Sequence, residues 1–346
     1  MIQEGVNVSW PTSPKTAVTR KASIVLALGA ALLLSACSGD SPAEAESSDG
    51  SGSTATVTIT DNHGEVEVPV NPKTVVALDN TVFETLSEWD IKLAAAPKGV
   101  MGSAWPGYTD DTKVADVGNH REPNLETIVA AQPDLIIGGY RFGDYYDEIK
   151  KQNPQAAVIE IAPRPDKDAF TELERQTEIL GQIFDREDEA KALNDKLDSA
   201  IAGAKAAYNG TDSVMTVNTS AGKIGYIAPE VGRSLGPVFP ALGWKPALEV
   251  DGATDNHQGD DITVEAIADS NPDWIVALDR DAAFAAADRE AGSAPATELI
   301  TKSEALKNVP AVREGHIVVL DPNFYLEEGI QSYTDLFNQL EKAFAA

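Results

Sequence analysis

Short, continuous apolar runs alternate along this chain with segments in which apolar residues recur every third or fourth position. Lys73–Leu78 is a short apolar β run. Leu135–Ile137 and Val158–Ile161 are apolar without interruption, the pattern of strands buried on both faces in a parallel sheet. A second series starts at Val214–Val217 and includes the run Ile317–Leu320. Helical spacing lies between the runs, with Val82, Leu86 and Trp89 inside 81–90, then 126–131, 230–242 and 331–345. Pro133 stops the second of these helices, because proline lacks an amide hydrogen and disfavours helix in the residue before it. From Val57, VTITDNHGEVEVP reads as a hairpin of two alternating strands about an Asn-His-Gly turn. TELERQTEILGQIF and REDEAKALNDKLDSAIAGAKAAY, within 167–208, are rich in Glu, Lys and Ala and have no interior proline. They predict two helices, the second about 20 residues long and ended by Asn209-Gly210.

One unit is written twice. LETIVAAQPDLIIGGYR, 125–141, returns at 264–280 as VEAIADSNPDWIVALDR, at a constant offset of 139. Six of the seventeen positions are identical, including Glu126/Glu265, Pro133/Pro272, Asp134/Asp273 and Arg141/Arg280. The expected fold is therefore α/β, with two pseudo-symmetric lobes of mainly parallel sheet joined by one long spine helix. The lobes fall at 55–184 and 210–346, with the connecting helix at 185–209. Arg141 and Arg280 each lie just past the carboxyl end of an equivalent strand. Open α/β sheets bind ligands outside those strand ends, so facing lobes would bring both arginines into one cleft.

Composition adds limits. The 346 residues are 42% hydrophobic and 24% charged, ordinary for globular lobes of this size. The net charge of −28 argues against nucleic acid and against a broad basic membrane-binding face. The lone cysteine, Cys37, excludes an internal disulfide. Arg20 and Lys21 precede the apolar run 22–34, and Leu34-Ser35-Ala36-Cys37 follows it. This order resembles a bacterial lipoprotein signal, with residues 1–36 removed and Cys37 lipidated. Residues 1–17 lie upstream of the charged region and fit an over-extended reading frame. The Ser/Gly/Asp/Glu-rich stretch from Cys37 to 54 reads as a flexible tether.

At this point the chain resembles a known family. NPKTVVALDN, DVGNHREPNLETIVAAQPDLII, GYIAPEVGRSLGPVFPALG, VALDRDAA and LDPNFYLEEGIQS look like the class III substrate-binding proteins of ABC importers, over essentially all of 55–346. The wording is similar to the iron–siderophore branch, and within it to binders of ferric catecholates. The resemblance implies a ferric siderophore as transported ligand, no intrinsic cofactor and no catalysis. Its implied partners are an ABC permease with its ATPase and the membrane through the lipid anchor, with the protein a monomer outside the cytoplasm. It places Arg141, Arg233 and Arg280 in the ligand pocket. His257 and Tyr325 would complete iron coordination for a siderophore with four donor oxygens. One exposed glutamate per lobe, Glu126 and Glu265, would dock onto the permease.

The chemistry agrees. A ferric catecholate is an anion with flat rings, and guanidinium groups hold pairs of oxygens in a planar fork. Each such contact contributes roughly 1.5–3 kcal/mol. Neutral imidazole suits iron. Lys98 is a candidate fourth cation. Tyr140, Trp105 and Tyr226 are candidate ring contacts, against the plainer reading of core or rim aromatics. His63, His120 and His316 show no metal-site spacing. No nucleotide-type glycine loop, G-x-S-x-G elbow or His-Glu-x-x-His motif points to an enzyme. The alternative ligands for this architecture are haem and cobalamin.

Overall fold

Two residues with positive φ shape the first visible departure from the expected sheets. In the computed structural model, which describes residues 55–119 and 122–346, Ala221 (φ 52°) and Gly222 (φ 75°) form a two-residue turn. That geometry is the hairpin turn whose twist matches paired strands. It folds Lys223–Tyr226 back antiparallel on Ser213–Ser220, a strand that the sequence reading did not place in a sheet expected to be mainly parallel. The expected signal peptide, Cys37 and the tether lie outside the described residues, as does His120.

The strands run in this order. β1 (Thr56–Asp61) and β2 (Gly64–Pro69) form the expected hairpin. Asp61 Oδ1 accepts from the amides of His63 at 2.7 Å and Gly64 at 2.9 Å, which fixes its turn. β3 (Val75–Ala77), β4 (Leu93–Ala96), β5 (Ala115–Asp116), β6 (Leu135–Gly138) and β7 (Ala157–Glu160) make an all-parallel sheet in the order β5-β4-β3-β6-β7. β8 (Ser213–Ser220), β9 (Lys223–Tyr226), β10 (Lys245–Pro246), β11 (Asp260–Asp261), β12 (Trp274–Asp279) and β13 (Ile317–Val319) make the second. Its order is β11-β9-β8-β12-β13, with β8, β12 and β13 parallel and β9 pairing antiparallel with both β8 and β11. β10 adds a short parallel pairing to the start of β8.

The 139-residue offset survives as geometry. Val75 faces Leu135 in the first sheet, and Val214 faces Trp274 in the second, each pair 139 positions on from the other. Gln132 (φ 49°) and Asn271 (φ 50°) both turn left-handed before their Pro-Asp pair. The repeated aspartate then has a clear task. Asp134 Oδ2 accepts from Lys73 N at 2.7 Å, and Asp273 Oδ2 accepts from Ser213 N at 2.7 Å. Each carboxylate clamps the start of the neighbouring strand, so both repeats deliver their arginine to the same end of a sheet.

Both sheet faces are buried, which explains the uninterrupted apolar runs. Val75, Ala77, Leu135 and Ile137 face a core shared with Val214, Val276 and Leu278 of the second sheet. Val76, Ile136 and Val158 face a separate core, as do Met215, Ile275 and Ala277 in the other lobe. Helices Ala169–Phe184, Glu187–Ala207 and Ile330–Phe344 pack through the shared core, with Leu197, Ala204, Phe337 and Leu340 almost fully buried. Gly203 of the second helix faces the Glu341 carboxylate of the third. The described residues form one compact unit. None of their helices is long and apolar enough to cross a membrane.

The expected helix 230–242 contracts to Val238–Leu242. Pro229 precedes the region, Glu230 (φ 65°) and Ser234 (φ 71°) are left-handed, and the chain coils so tightly that a Cβ on Gly236 would meet Gly232 O. Helical spacing of apolar residues is real here, but the prolines and glycines break the ladder. The result is a rigid coil that carries Arg233.

Burial holds four carboxyl groups of the described residues above their usual range, Glu84 among them and three others more strongly. Burial pushes Asp79 up to about 6. Burial, reinforced by Asp198, pushes Glu174 up to about 7. Burial, with Glu84, Asp321 and Asp335 nearby, pushes Glu327 up to about 7. Each binds its proton more tightly folded than unfolded, so its stabilisation is complete below pH ~4 and is lost as the pH rises through 6 to 7. Glu172 runs the other way. Burial opposes its charge, but Arg164 and Arg175 outweigh burial and hold it down at about 2, so its contribution is lost only in strong acid. The melting midpoint is therefore expected to be several degrees higher at pH 5 than at pH 8. A midpoint that climbs from pH 5 to pH 8 would contradict this.

Candidate functional site

The short helix Phe324–Glu327 sits where the two lobes meet and is the hub of the site. Asn80, at the carboxyl end of β3, donates from Nδ2 to the Leu326 carbonyl at 2.7 Å. Tyr325, next in the chain, is buried, at 6% exposure.

Two of the three arginines pack on this turn, and the third reaches it through Asn80. Arg280 follows β12 and donates from Nε to the Tyr325 hydroxyl at 3.1 Å. Its guanidinium lies 5.3 Å from the Tyr325 ring centre and 5.2 Å from that of Phe284. Its Nη1 donates to Ser220 Oγ at 3.1 Å, with Asp281 and Glu290 carboxylates at 3.5 Å. Arg233 lies over the Tyr325 ring at 5.5 Å. Cations against an aromatic face gain from the ring quadrupole, so one tyrosine orients two guanidinium groups. Arg141 follows β6 and donates from Nε to Asn80 Oδ1 at 3.3 Å. Asn80 thus links Arg141 of one lobe to the Tyr325 helix of the other. The two repeat arginines are placed alike, each beside the loop after the equivalent central strand.

A cavity of about 630 Å³ opens between the lobes, with Thr81, Pro163 and Leu173 on one side and Arg233, Glu328 and Tyr333 on the other. That size suits a small ligand. A second cavity, about 620 Å³, lies in the second lobe. Ser220 and Glu290, which contact Arg280, line it together with Asn256 and Gln258, the neighbours of His257. His257 itself is exposed. Its carbonyl accepts from Asn218 Nδ2 at 2.8 Å, which pins the loop to the end of β8. Asp260 stiffens the same loop by accepting from the Thr254 amide at 2.8 Å. Among the described residues no group of three or more His, Cys, Asp or Glu is arranged to hold a metal.

Other candidates lie elsewhere. Lys98 donates from Nζ to the carbonyls of Asp111 at 2.7 Å and Thr109 at 3.2 Å, so its ammonium pins a loop of the first lobe. Trp105 is a core residue, donating from Nε1 to Glu84 at 2.7 Å and packed edge-on against Phe83. Tyr226 is also core, its hydroxyl bound to the Leu248 carbonyl. The Tyr140 side chain lies outside the described residues. Glu126 and Glu265 are exposed in the first turns of helices Leu125–Ala130 and Val264–Ser270, each behind a side-chain cap from Asn124 or Thr263. Sequence reasoning missed Asn80, Ser220, Phe284 and Glu328. Asn80 had a signal, since it follows a central strand at the end where such sheets bind ligands.

Known proteins share this architecture. The chain is 29% identical over 323 residues to the petrobactin-binding protein YclQ of Bacillus subtilis (strain 168), covering 92% of this chain and 96% of the relative. The crystal structure of YclQ superposes with a TM-score of 0.71 at 26% identity, over 84% of this chain and 99% of that one. The catecholate-siderophore binding protein VctP from Vibrio cholerae shares the fold, with a TM-score of 0.72 at 23% identity over 83% and 100% of the two chains. The iron(3+)-hydroxamate-binding protein FhuD of B. subtilis (strain 168) is 27% identical over 305 residues, 86% of this chain and 89% of the relative. These relatives are binding proteins and not enzymes, and the shared fold is that of class III substrate-binding proteins. Residues 75–324 match the family described as periplasmic binding protein, and the chain belongs to that family.

Proposed function

We propose that this protein captures a ferric siderophore, of the catecholate kind, between its lobes and delivers it to an ABC permease outside the cytoplasm. The observation that carries the reading is the packing of Arg233 and Arg280 on Tyr325, with Arg141 tied to the same helix through Asn80. Clustered guanidinium groups suit an anionic ferric complex. The names of YclQ and VctP support the same ligand class. Tyr325, oriented by Arg280, and His257, on its pinned loop, supply iron donors when the siderophore leaves two positions open. Lipidated Cys37 holds the protein at the membrane as a monomer, and Glu126 and Glu265 present one carboxylate per lobe to the permease.

The visible spectrum tests the ligand. Protein mixed with a ferric catecholate and freed of excess is expected to keep a broad charge-transfer band. Failure to retain that band, with a sharp Soret band after exposure to haem, would reassign the cleft.

A further inference from the structure

Arg233 does not present an open fork to the cleft. Glu328 accepts from its Nε at 3.1 Å and its Nη2 at 2.5 Å, and also accepts from Ser234 Oγ. The carboxylate is buried, with Glu328 7% exposed, and both partners line the inter-lobe cavity. The backbone is specialised to put it there. Glu328 has φ 49°, a left-handed conformation that non-glycine residues rarely adopt. Gly329 follows, where a Cβ would sit 2.7 Å from the Thr81 carbonyl of the other lobe. The pair therefore lies at the seam of the lobes, one residue beyond the helix that carries Tyr325.

A carboxylate bound to both ends of a guanidinium fork has the geometry that a ligand's paired oxygens would take. Building on the function proposed above, we infer that Glu328 is a specificity-determining residue that cancels one cation of the cleft and lowers the negative charge of the ligand it accepts. Arg280 carries a milder version of the same arrangement, with Asp281 and Glu290 at 3.5 Å. Three arginines thus act with less than three positive charges. The cleft favours a ferric complex of low charge over a compact trianion, which needs every guanidinium for itself.

The test is a binding titration of the full-length protein and its Glu328→Gln variant with a ferric tris-catecholate, net charge −3, and a neutral ferric hydroxamate. Gln keeps the shape and the hydrogen-bonding oxygen but not the charge. The ratio of the two dissociation constants is expected to move at least tenfold toward the trianion, with a steeper salt dependence for that ligand. Glu328→Gly, which suits the left-handed backbone, is expected to move it the same way and covers poor folding of the first variant. An unchanged ratio in both variants, with binding retained, would remove the role of Glu328 while leaving the cleft as the binding site. Equal loss of both ligands would show a purely structural residue. Absence of binding in the parent protein as well would overturn the site together with this inference.

Discussion

Arg280→Ala is expected to weaken ferric catecholate binding by roughly 10- to 100-fold, because a charge-assisted hydrogen bond is worth about 1.5–3 kcal/mol. Arg280 is held on several sides. It orients the Tyr325 hydroxyl, binds Ser220 and lies against two aromatic rings. Its removal would also leave Asp281 and Glu290 facing the ligand with less positive charge beside them, so the loss compounds. Arg280→Lys keeps the charge but not the planar fork and is expected to fall between the two. Titration alongside a melting curve checks both. Binding within twofold of the parent, in a folded Arg280→Ala variant, would take Arg280 out of the pocket.

The second large effect concerns transport. Reversing both Glu126 and Glu265 to lysine is expected to cut siderophore uptake at least tenfold while leaving ligand affinity unchanged. Both side chains are exposed, at the opposite end of each repeat from its arginine. Each sits in a helical first turn, where the helix dipole favours a negative charge by roughly 0.3–1 kcal/mol, so reversal costs little fold stability. Uptake assays in cells, paired with titration of the purified variant, separate docking from binding. Normal uptake with unchanged affinity would remove the docking role.

Much of the fold was legible because the repeat imposes it. The apolar runs at 135–137 and 158–161 became β6 and β7, and the offset of 139 reappeared as matched strand register. The two helices within 167–208 and the closing helix also formed where apolar spacing placed them. Helix 230–242 was misread because periodicity carries no information about coils whose glycines let backbone touch backbone. The antiparallel β9 was missed although Ala221-Gly222 offered a turn signal. At the site, the sequence marked arginines but not their partners. Asn80 and Glu328 act through long-range contacts, to Leu326 and Arg233, that no local pattern encodes. Lys98 looked like a ligand cation because charge alone does not reveal that Thr109 and Asp111 carbonyls already hold it.

The most direct test of the central claim is a fluorescence-quenching titration of the purified protein against ferric bis-catecholate, ferric tris-catecholate, ferric hydroxamate, haem and cobalamin. Saturable quenching by a ferric catecholate at micromolar concentration or below, with no comparable response to haem or cobalamin, is the predicted result. Saturation by haem or cobalamin alone would keep the fold and contradict the siderophore assignment.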